Sequence, residues 1–151
     1  MEWLIVLSDR QAADWVLANE RMAFRSNANA TRLDPGDSVA IYLAQKAWST
    51  TERQQPRIVA LGRVTTGVAT EPVEVAGQTY DCSCGLALAA KLPLHEGLPF
   101  RPLIDQLSFI KNKRAWHANV QRVLAPLGEG DFAVIRAAFL ALPTGSTSPP
   151  G

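Results

Sequence analysis

The stretch Tyr-Asp-Cys-Ser-Cys-Gly-Leu-Ala-Leu-Ala-Ala-Lys-Leu, residues 80–92, carries the clearest structural pattern in this chain of 151 residues. Every second residue from Tyr80 to Leu92 is apolar, aromatic or a thiol, which predicts one long, half-buried β-strand. At about 3.3 Å per residue such a strand spans roughly 43 Å. It has to bend in a domain of this size, and Gly85 is the natural place for a bend or bulge. Long bent strands with one lined face are typical of small β-barrels.

The same alternation places Cys82 and Cys84 on the lined face of the strand. Neither has an adjacent basic residue of the kind that lowers the pKa of a reactive thiol. We therefore predict two packed thiols rather than metal ligands or nucleophiles. Two cysteines and two histidines are also too few for a disulfide framework and argue against a zinc site.

Shorter patterns predict the other elements of the chain. Strands are expected at residues 3–7, at 39–44 after the turn Pro35-Gly36-Asp37, and at 57–66. A Ser8–Gln11 capping box opens a helix through Leu17, with Trp15 in the core. Apolar spacing predicts a helix over 116–127 and a last one over 132–142, with acids in its first turn. Ser26 or Asn27 can cap a short helix that ends near Leu33.

Composition predicts one soluble domain. Hydrophobic residues make up 47% of the chain and charged residues 19%, and no apolar run reaches the roughly 20 residues of a membrane span. The N-terminus does not resemble a signal peptide. We therefore expect a cytoplasmic protein without metal, cofactor or membrane association, with one domain at residues 1–142 and a disordered tail at 143–151. Strands and helices follow one another without a βαβ rhythm, which predicts an α+β fold with a small mixed barrel.

Charge is unevenly distributed, although the net charge is only +1. Residues 21–33 contain three basic residues and no acid, and residues 106–122 contain four basic residues and no acid. Such clustering can produce a basic face that holds an anion, although chance clustering on solvated helices is the plain alternative. The chain has no phosphate-binding glycine loop, nucleophile elbow or zinc-protease motif, so no enzyme class is indicated.

Two aromatic positions suggest a ligand. Trp48 is surrounded by polar residues, where an indole is costly to expose unless it covers a surface or a ligand. The segment Phe109-Ile-Lys-Asn-Lys-Arg-Ala-Trp116 places hydrogen-bond donors between two aromatic rings. That mixture suits stacking on a base while pairing with its phosphate.

The segment from Phe100 to Trp116, FRPLIDQLSFIKNKRAW, resembles the signature of the EVE domain family, which belongs to the PUA-like superfamily and is related to YTH domains. The resemblance extends over residues 2–141, through EWLIVLSDRQAADW, TRLDPGDSVAIYL, IVALGRV and GDFAVIRAAF. It implies a PUA-like barrel with flanking helices. It also implies a pocket that accepts a single, especially a modified, base inside an aromatic cage.

Carried over by position, the resemblance implies that Ser8 contacts the edge of the base and that Arg25 to Asn27 form the rim of the pocket. Many relatives have a cage tryptophan where this chain has Met22. A thioether is a less oriented platform than an indole. Trp48 or Phe24 then supplies the missing wall, or the ligand differs from the usual methylated base.

The resulting expectation is a non-catalytic module that binds DNA or RNA carrying a modified base. The expected pocket residues, with Trp3, Ser8 and Trp116 sharing one cavity, are Trp3, Ser8, Met22, Phe24, Asn27, Trp48 and Trp116. The expected phosphate contacts are Arg25, Lys111, Lys113 and Arg114. Two alternatives stay open: an amidohydrolase of the related ASCH type acting on modified nucleosides, and a protein-interaction module with a vestigial pocket.

Overall fold

The computed structural model of the chain describes residues 1–25, 32–47, 55–116, 120 and 124–142, with only the main chain at residues 46 and 129. Asn27 and Trp48, which the sequence places in the pocket, lie outside the described residues, as do the predicted tail at 143–151 and the short helix predicted from residue 26. The described part of the chain contains eight strands and two α-helices. They are β1 (Glu2–Leu7), α1 (Arg10–Asn19), β2 (Arg21–Phe24), β3 (Ser38–Leu43), β4 (Arg57–Val64), β5 (Ala69–Val75), β6 (Gln78–Lys91), β7 (Leu98–Pro99), β8 (Leu124–Leu127) and α2 (Glu129–Leu140).

One strongly curled sheet organises the molecule, so the fold is α+β as predicted. Its strands run in the order β2-β6-β4-β3-β1-β8, with β5 added to β6 and β7 added to β4. Strands β1 and β3 are parallel, and the other pairs are antiparallel. Short 3-10 segments lie between β3 and β4 (Gln45–Ala47), between β6 and β7 (Leu94–Glu96) and after β7 (Arg101–Gln106).

Two apolar cores cover the two faces of the sheet, and β1 belongs to both. Trp3, Ile5 and Leu7 enter the first core with α1 and β2, whereas Leu4 and Val6 enter the second core with α2. A strand that is buried on both faces needs an uninterrupted apolar run, and the sequence Trp3 to Leu7 supplies it.

The long strand predicted from residues 80–92 is present as β6. Its bulge lies at Ala89 rather than at Gly85, because Leu61 and Gly62 of β4 pair with Ala90 and Leu88 and leave Ala89 unpaired. Gly85 lies instead where the neighbouring strand changes: β5 pairs with β6 before it and β4 pairs with β6 after it.

The bulge also corrects the prediction of a single lined face. Cys82, Cys84, Leu86 and Leu88 pack in the first core, but beyond the bulge Ala90 and Leu92 pack against the second core. An extra residue in one strand shifts the alternation by one, so the side chains that follow change face.

The helix predicted over residues 116–127 is wrong at its C-terminal end. Its last four residues form β8, which pairs antiparallel with β1 from Glu2↔Leu127 to Ile5↔Leu124. Pro126 has no amide hydrogen to donate and is costly inside a helix, whereas an edge strand tolerates it. This proline was the signal against a helix.

The two α-helices are confirmed, with one correction at the first. Asp9, not Ser8, is the N-cap of α1, because its carboxylate accepts the amide hydrogen of Gln11 at 3.1 Å. Ser8 is therefore not needed as a cap and remains available to a ligand. No α-helix in the described ranges is long and apolar enough to cross a membrane.

Candidate functional site

A cavity of about 410 Å³ opens between α1, the end of β1, strand β2 and the tip of the β5–β6 hairpin. We call it the base pocket, after the ligand expected from the sequence. Its lining residues are Val6, Leu7, Ser8, Asp9, Ala12, Trp15, Val16, Met22, Ala23, Phe24, Arg25, Val75, Gln78 and Tyr80. A concave site of this size, mostly apolar with a few convergent polar groups, is typical of small-molecule sites.

Three aromatic residues and one thioether form the apolar walls of the base pocket. Met22 and Phe24 are buried, with their side chains in the first core. Trp15 and Tyr80 are half-buried and come from two different elements, α1 and β6. Trp15 is therefore a wall residue as well as the core residue that the sequence predicted, since it packs against the first core and also borders the cavity.

Four polar side chains form the rim: Ser8, Asp9, Arg25 and Gln78. All four are exposed. Arg25 offers only donors and Asp9 only acceptors, while Ser8 and Gln78 offer both. The rim can thus match a flat ring that presents donors and acceptors along one edge, and its two charges cancel.

The β5–β6 hairpin turn sets the position of one side of the pocket. Val75 pairs with Gln78 across a two-residue turn in which Ala76 and Gly77 both have positive φ, 52° and 83°. Two positive φ values give the tight turn that matches the twist of paired strands. As a result Gln78 and Tyr80 stand at the mouth of the pocket, where the Tyr80 hydroxyl donates to Gln78 Oε1 at 3.4 Å.

The structure brings four of the predicted residues together in this pocket: Ser8, Met22, Phe24 and Arg25. Asp9, Trp15, Gln78 and Tyr80 were not predicted as site residues. Tyr80 was placed correctly on the lined face of its strand, but its approach to α1 depends on the folding of the hairpin. The only sequence signal for Asp9 was its position next to Ser8.

Trp3 does not line the base pocket, contrary to prediction. Its side chain is 1% exposed in the first core, and its indole Nε1 donates to Asp37 Oδ2 at 2.9 Å. The Arg32 guanidinium lies 5.1 Å from the centre of its ring, a cation–π contact. Both the polar atom and one face of the indole are therefore already used within the protein.

Trp116 was also wrongly assigned to the pocket. It is buried in the second core, where its ring lies 5.7 Å from that of Phe100. Phe100 in turn meets Tyr42 edge to face at 4.9 Å. The predicted cavity shared by Trp3, Ser8 and Trp116 is therefore wrong, because Trp116 packs in the core that α2 covers and the base pocket borders the other core.

The predicted phosphate contacts divide into two groups. Arg25 is on the rim of the base pocket. Lys113 is engaged in the protein, because its Nζ donates to the carbonyls of Ile104 at 3.0 Å and Leu107 at 2.7 Å. It satisfies carbonyls at the end of the 3-10 segment, and it does not line the base pocket.

Lys111 and Arg114 are exposed, but on the segment that packs against the second core. They do not line the base pocket, so the sequence-predicted cations form no continuous rim around it.

Both cysteines are buried and free, as predicted. Burial raises the pKa of the Cys84 thiol to about 11, which keeps the thiol protonated at neutral pH. Within the described residues, no group of three or more histidine, cysteine, aspartate or glutamate side chains could hold a metal ion.

Comparison with known proteins shows distant sequence relatives. No protein-family model matches the chain. A UPF0310 protein of Pyrococcus abyssi is 24% identical over 148 residues, which cover 91% of this chain and 99% of that protein. A UPF0310 protein of Pyrococcus horikoshii is 28% identical over 118 residues, covering 73% and 78% of the two chains.

Solved structures share the fold over most of their length. The crystal structure of a Pseudomonas syringae protein has a TM-score of 0.56 at 12% identity and covers 91% of this chain and 98% of its own. The NMR structure of a Rhodopseudomonas palustris protein has a TM-score of 0.54 at 13% identity, with 93% and 94% covered. The chain is thus similar in sequence to archaeal UPF0310 proteins and shares its fold with these bacterial proteins.

Proposed function

We propose that this chain is a PUA-like reader of the EVE type, a non-catalytic module that binds one base of a nucleic acid in the base pocket. The observation that carries the proposal is the meeting of Ser8, Met22, Phe24 and Arg25, expected from the EVE resemblance, with the rings of Trp15 and Tyr80 in one cavity. Aromatic rings bind the faces of a base, and each stacked base contributes about 1–3 kcal/mol.

The polar rim supplies the other half of base recognition. The Ser8 hydroxyl and the Gln78 amide can each donate to and accept from the edge of a base, and Arg25 can donate to a ring carbonyl or to the neighbouring phosphate. Because Asp9 and Arg25 cancel in charge, the rim favours a neutral, flat ligand over an anion. A base drawn out of a strand meets these conditions.

A modified base is favoured by the apolar side of the pocket. Ala12, Met22 and Val75 line it without polar atoms in their side chains. A methyl group buried there gains about 0.8 kcal/mol, or roughly four-fold in affinity. We therefore expect a methylated nucleoside to bind more tightly than its unmodified form.

Calorimetric titration with a panel of modified and unmodified nucleosides tests this proposal. Tyr80→Leu removes one ring and keeps apolar volume, and it should raise Kd about 5- to 150-fold, the equivalent of 1–3 kcal/mol of stacking. Ser8→Ala should weaken binding by removing an edge contact without disturbing the α1 cap, which is Asp9.

The matched control is Phe109→Leu, a half-buried ring that packs against the second core. It should leave Kd unchanged. Absence of nucleoside binding in the wild-type protein, or an equal loss in the Phe109→Leu and Tyr80→Leu proteins, would refute the proposal.

A further inference from the structure

A second cavity of about 470 Å³, the α2 groove, lies between α2 and the bulged part of the sheet. Phe132, Arg136 and Leu140 follow each other at four-residue intervals along the wall that α2 forms. Residues 61–63 of β4 and 87–90 of β6 form the opposite wall. The backbones approach closely at the floor, since a Cβ on Gly62 would collide with the carbonyl oxygen of Ala87.

The α2 groove is basic. Arg63 and Arg136 are exposed and both line it, and neither has an ion-pair partner among the residues that the structure describes. Glu20 is the acid of the groove, and its Oε1 accepts the amide hydrogen of Leu88 at 2.8 Å. As far as the described residues go, two guanidinium groups are thus available to bind an anion.

A third cation, Lys91, directly follows Ala90 in the wall of the α2 groove. Lys91 Nζ donates to the carbonyl of Leu17 near the end of α1, at 3.0 Å, and keeps two further hydrogens to donate. Leu17 directly follows Val16, which lines the base pocket, and precedes Glu20 of the groove by three residues. The rim of the base pocket at Asp9 and Glu20 of the groove lie at the two ends of α1, about 16 Å apart along its axis at a rise of 1.5 Å per residue.

We infer that Lys91, Arg63 and Arg136 bind the phosphate backbone of the same strand whose base occupies the base pocket. This inference rests on the proposed function and extends it from one base to a run of several nucleotides. The half-buried ring of Phe132 lies in the groove among the two arginines. Cations interleaved with an aromatic ring are typical of sites that bind single strands. An acidic peptide also matches two arginines, but the ring of Phe132 beside them favours a nucleic acid strand.

Salt dependence of oligonucleotide binding tests the inference. The probe is a single strand roughly eight nucleotides long, within the 4–16 nucleotides typical of such sites, with the preferred nucleoside at its centre. The double variant Arg63→Gln/Arg136→Gln should bind this probe more weakly at low salt. The slope of its plot of log K against log salt concentration should be smaller in magnitude by about 1.4, because each lost phosphate contact to a single strand reduces that slope by about 0.7. Its affinity for the isolated nucleoside should equal that of the wild-type protein.

The matched control is Lys111→Gln/Arg114→Gln, which removes two exposed charges from the segment on the second core. It should change neither the Kd for the oligonucleotide nor the slope of the salt plot. An unchanged slope in the groove variant, or a larger change in the control, overturns the inference while the base pocket stands. The inference is also overturned if the groove substitutions weaken the binding of an acidic peptide but not the binding of the oligonucleotide. A wild-type protein that binds neither nucleoside nor oligonucleotide overturns the proposed function itself.

Discussion

At the scale of single residues, the buried carboxylate of Asp37 joins the start of β1 to the turn before β3. Its Oδ2 accepts from the Trp3 indole at 2.9 Å and from the Asp34 amide at 3.1 Å, and its Oδ1 accepts from the N-terminal amine at 3.1 Å. Burial raises the pKa of this carboxyl, but the hydrogen bonds and the amine more than offset burial, so the pKa lies below its usual 3.8. The ionised carboxylate therefore stabilises the folded state.

The lowered pKa predicts how stability depends on pH. A carboxyl whose folded pKa is depressed stabilises the fold above its unfolded pKa, and that contribution disappears as pH falls through the folded value. Asp37→Asn should cost on the order of 1–3 kcal/mol at pH 7. The difference between the wild-type and Asp37→Asn proteins should shrink below about pH 4. Urea unfolding at pH 7 and pH 3 checks this, and an equal difference at both values would contradict it.

At the scale of elements, Asp131 in the first turn of α2 anchors the segment that resembles the EVE signature. Asp131 is buried, and its carboxylate accepts the amide hydrogens of Ser108 at 2.6 Å and Phe109 at 2.9 Å, together with the Ser108 hydroxyl. An acid there also interacts favourably with the helix dipole. With the two bonds from Lys113, these contacts give residues 108–113 a structural role on the second core.

Removal of this anchor should destabilise the protein strongly. Asp131→Ala leaves two amides without their acceptor beside α2, and we expect a loss of about 2–4 kcal/mol in the free energy of unfolding. Asp105→Ala is the control, since Asp105 is an exposed acid of the preceding 3-10 segment and should change stability by less than about 0.5 kcal/mol. Thermal or urea unfolding measures both. Similar losses in the two variants would show that the anchor has no special role.

At the scale of the whole molecule, local patterns predicted most elements, and long-range pairing decided the rest. The alternation of residues 80–92 predicted β6, but the bulge at Ala89 depends on its register with β4. The hydrogen bond from Trp3 joins residues 34 positions apart, so no local pattern indicated that Asp37 accepts from its indole. Likewise Trp15 and Tyr80 pack against the same small cluster only because the β5–β6 hairpin folds against α1.

The candidate site was likewise predicted in part from local sequence and depends for the rest on long-range contacts. Ser8, Met22, Phe24 and Arg25 came from two short segments, at the end of β1 and along β2, whose ends the fold brings to one cavity. Lys113 is a cation of the kind that phosphate binding needs, but the fold places it at the carbonyls that end the 3-10 segment and not in the lining of the base pocket. The residue types predicted which side chains could bind a base or a phosphate. The contacts that each side chain makes inside the protein decided which of them line the pocket.

A crystal structure of the protein with the tightest-binding nucleoside tests the central claim most directly. The account predicts the ring of the base between Trp15 and Tyr80, with its edge within hydrogen-bonding distance of Ser8 or Gln78 and its sugar directed towards Arg25. A base bound only in the α2 groove, or a base pocket filled by the protein's own side chains in the complex, would contradict it.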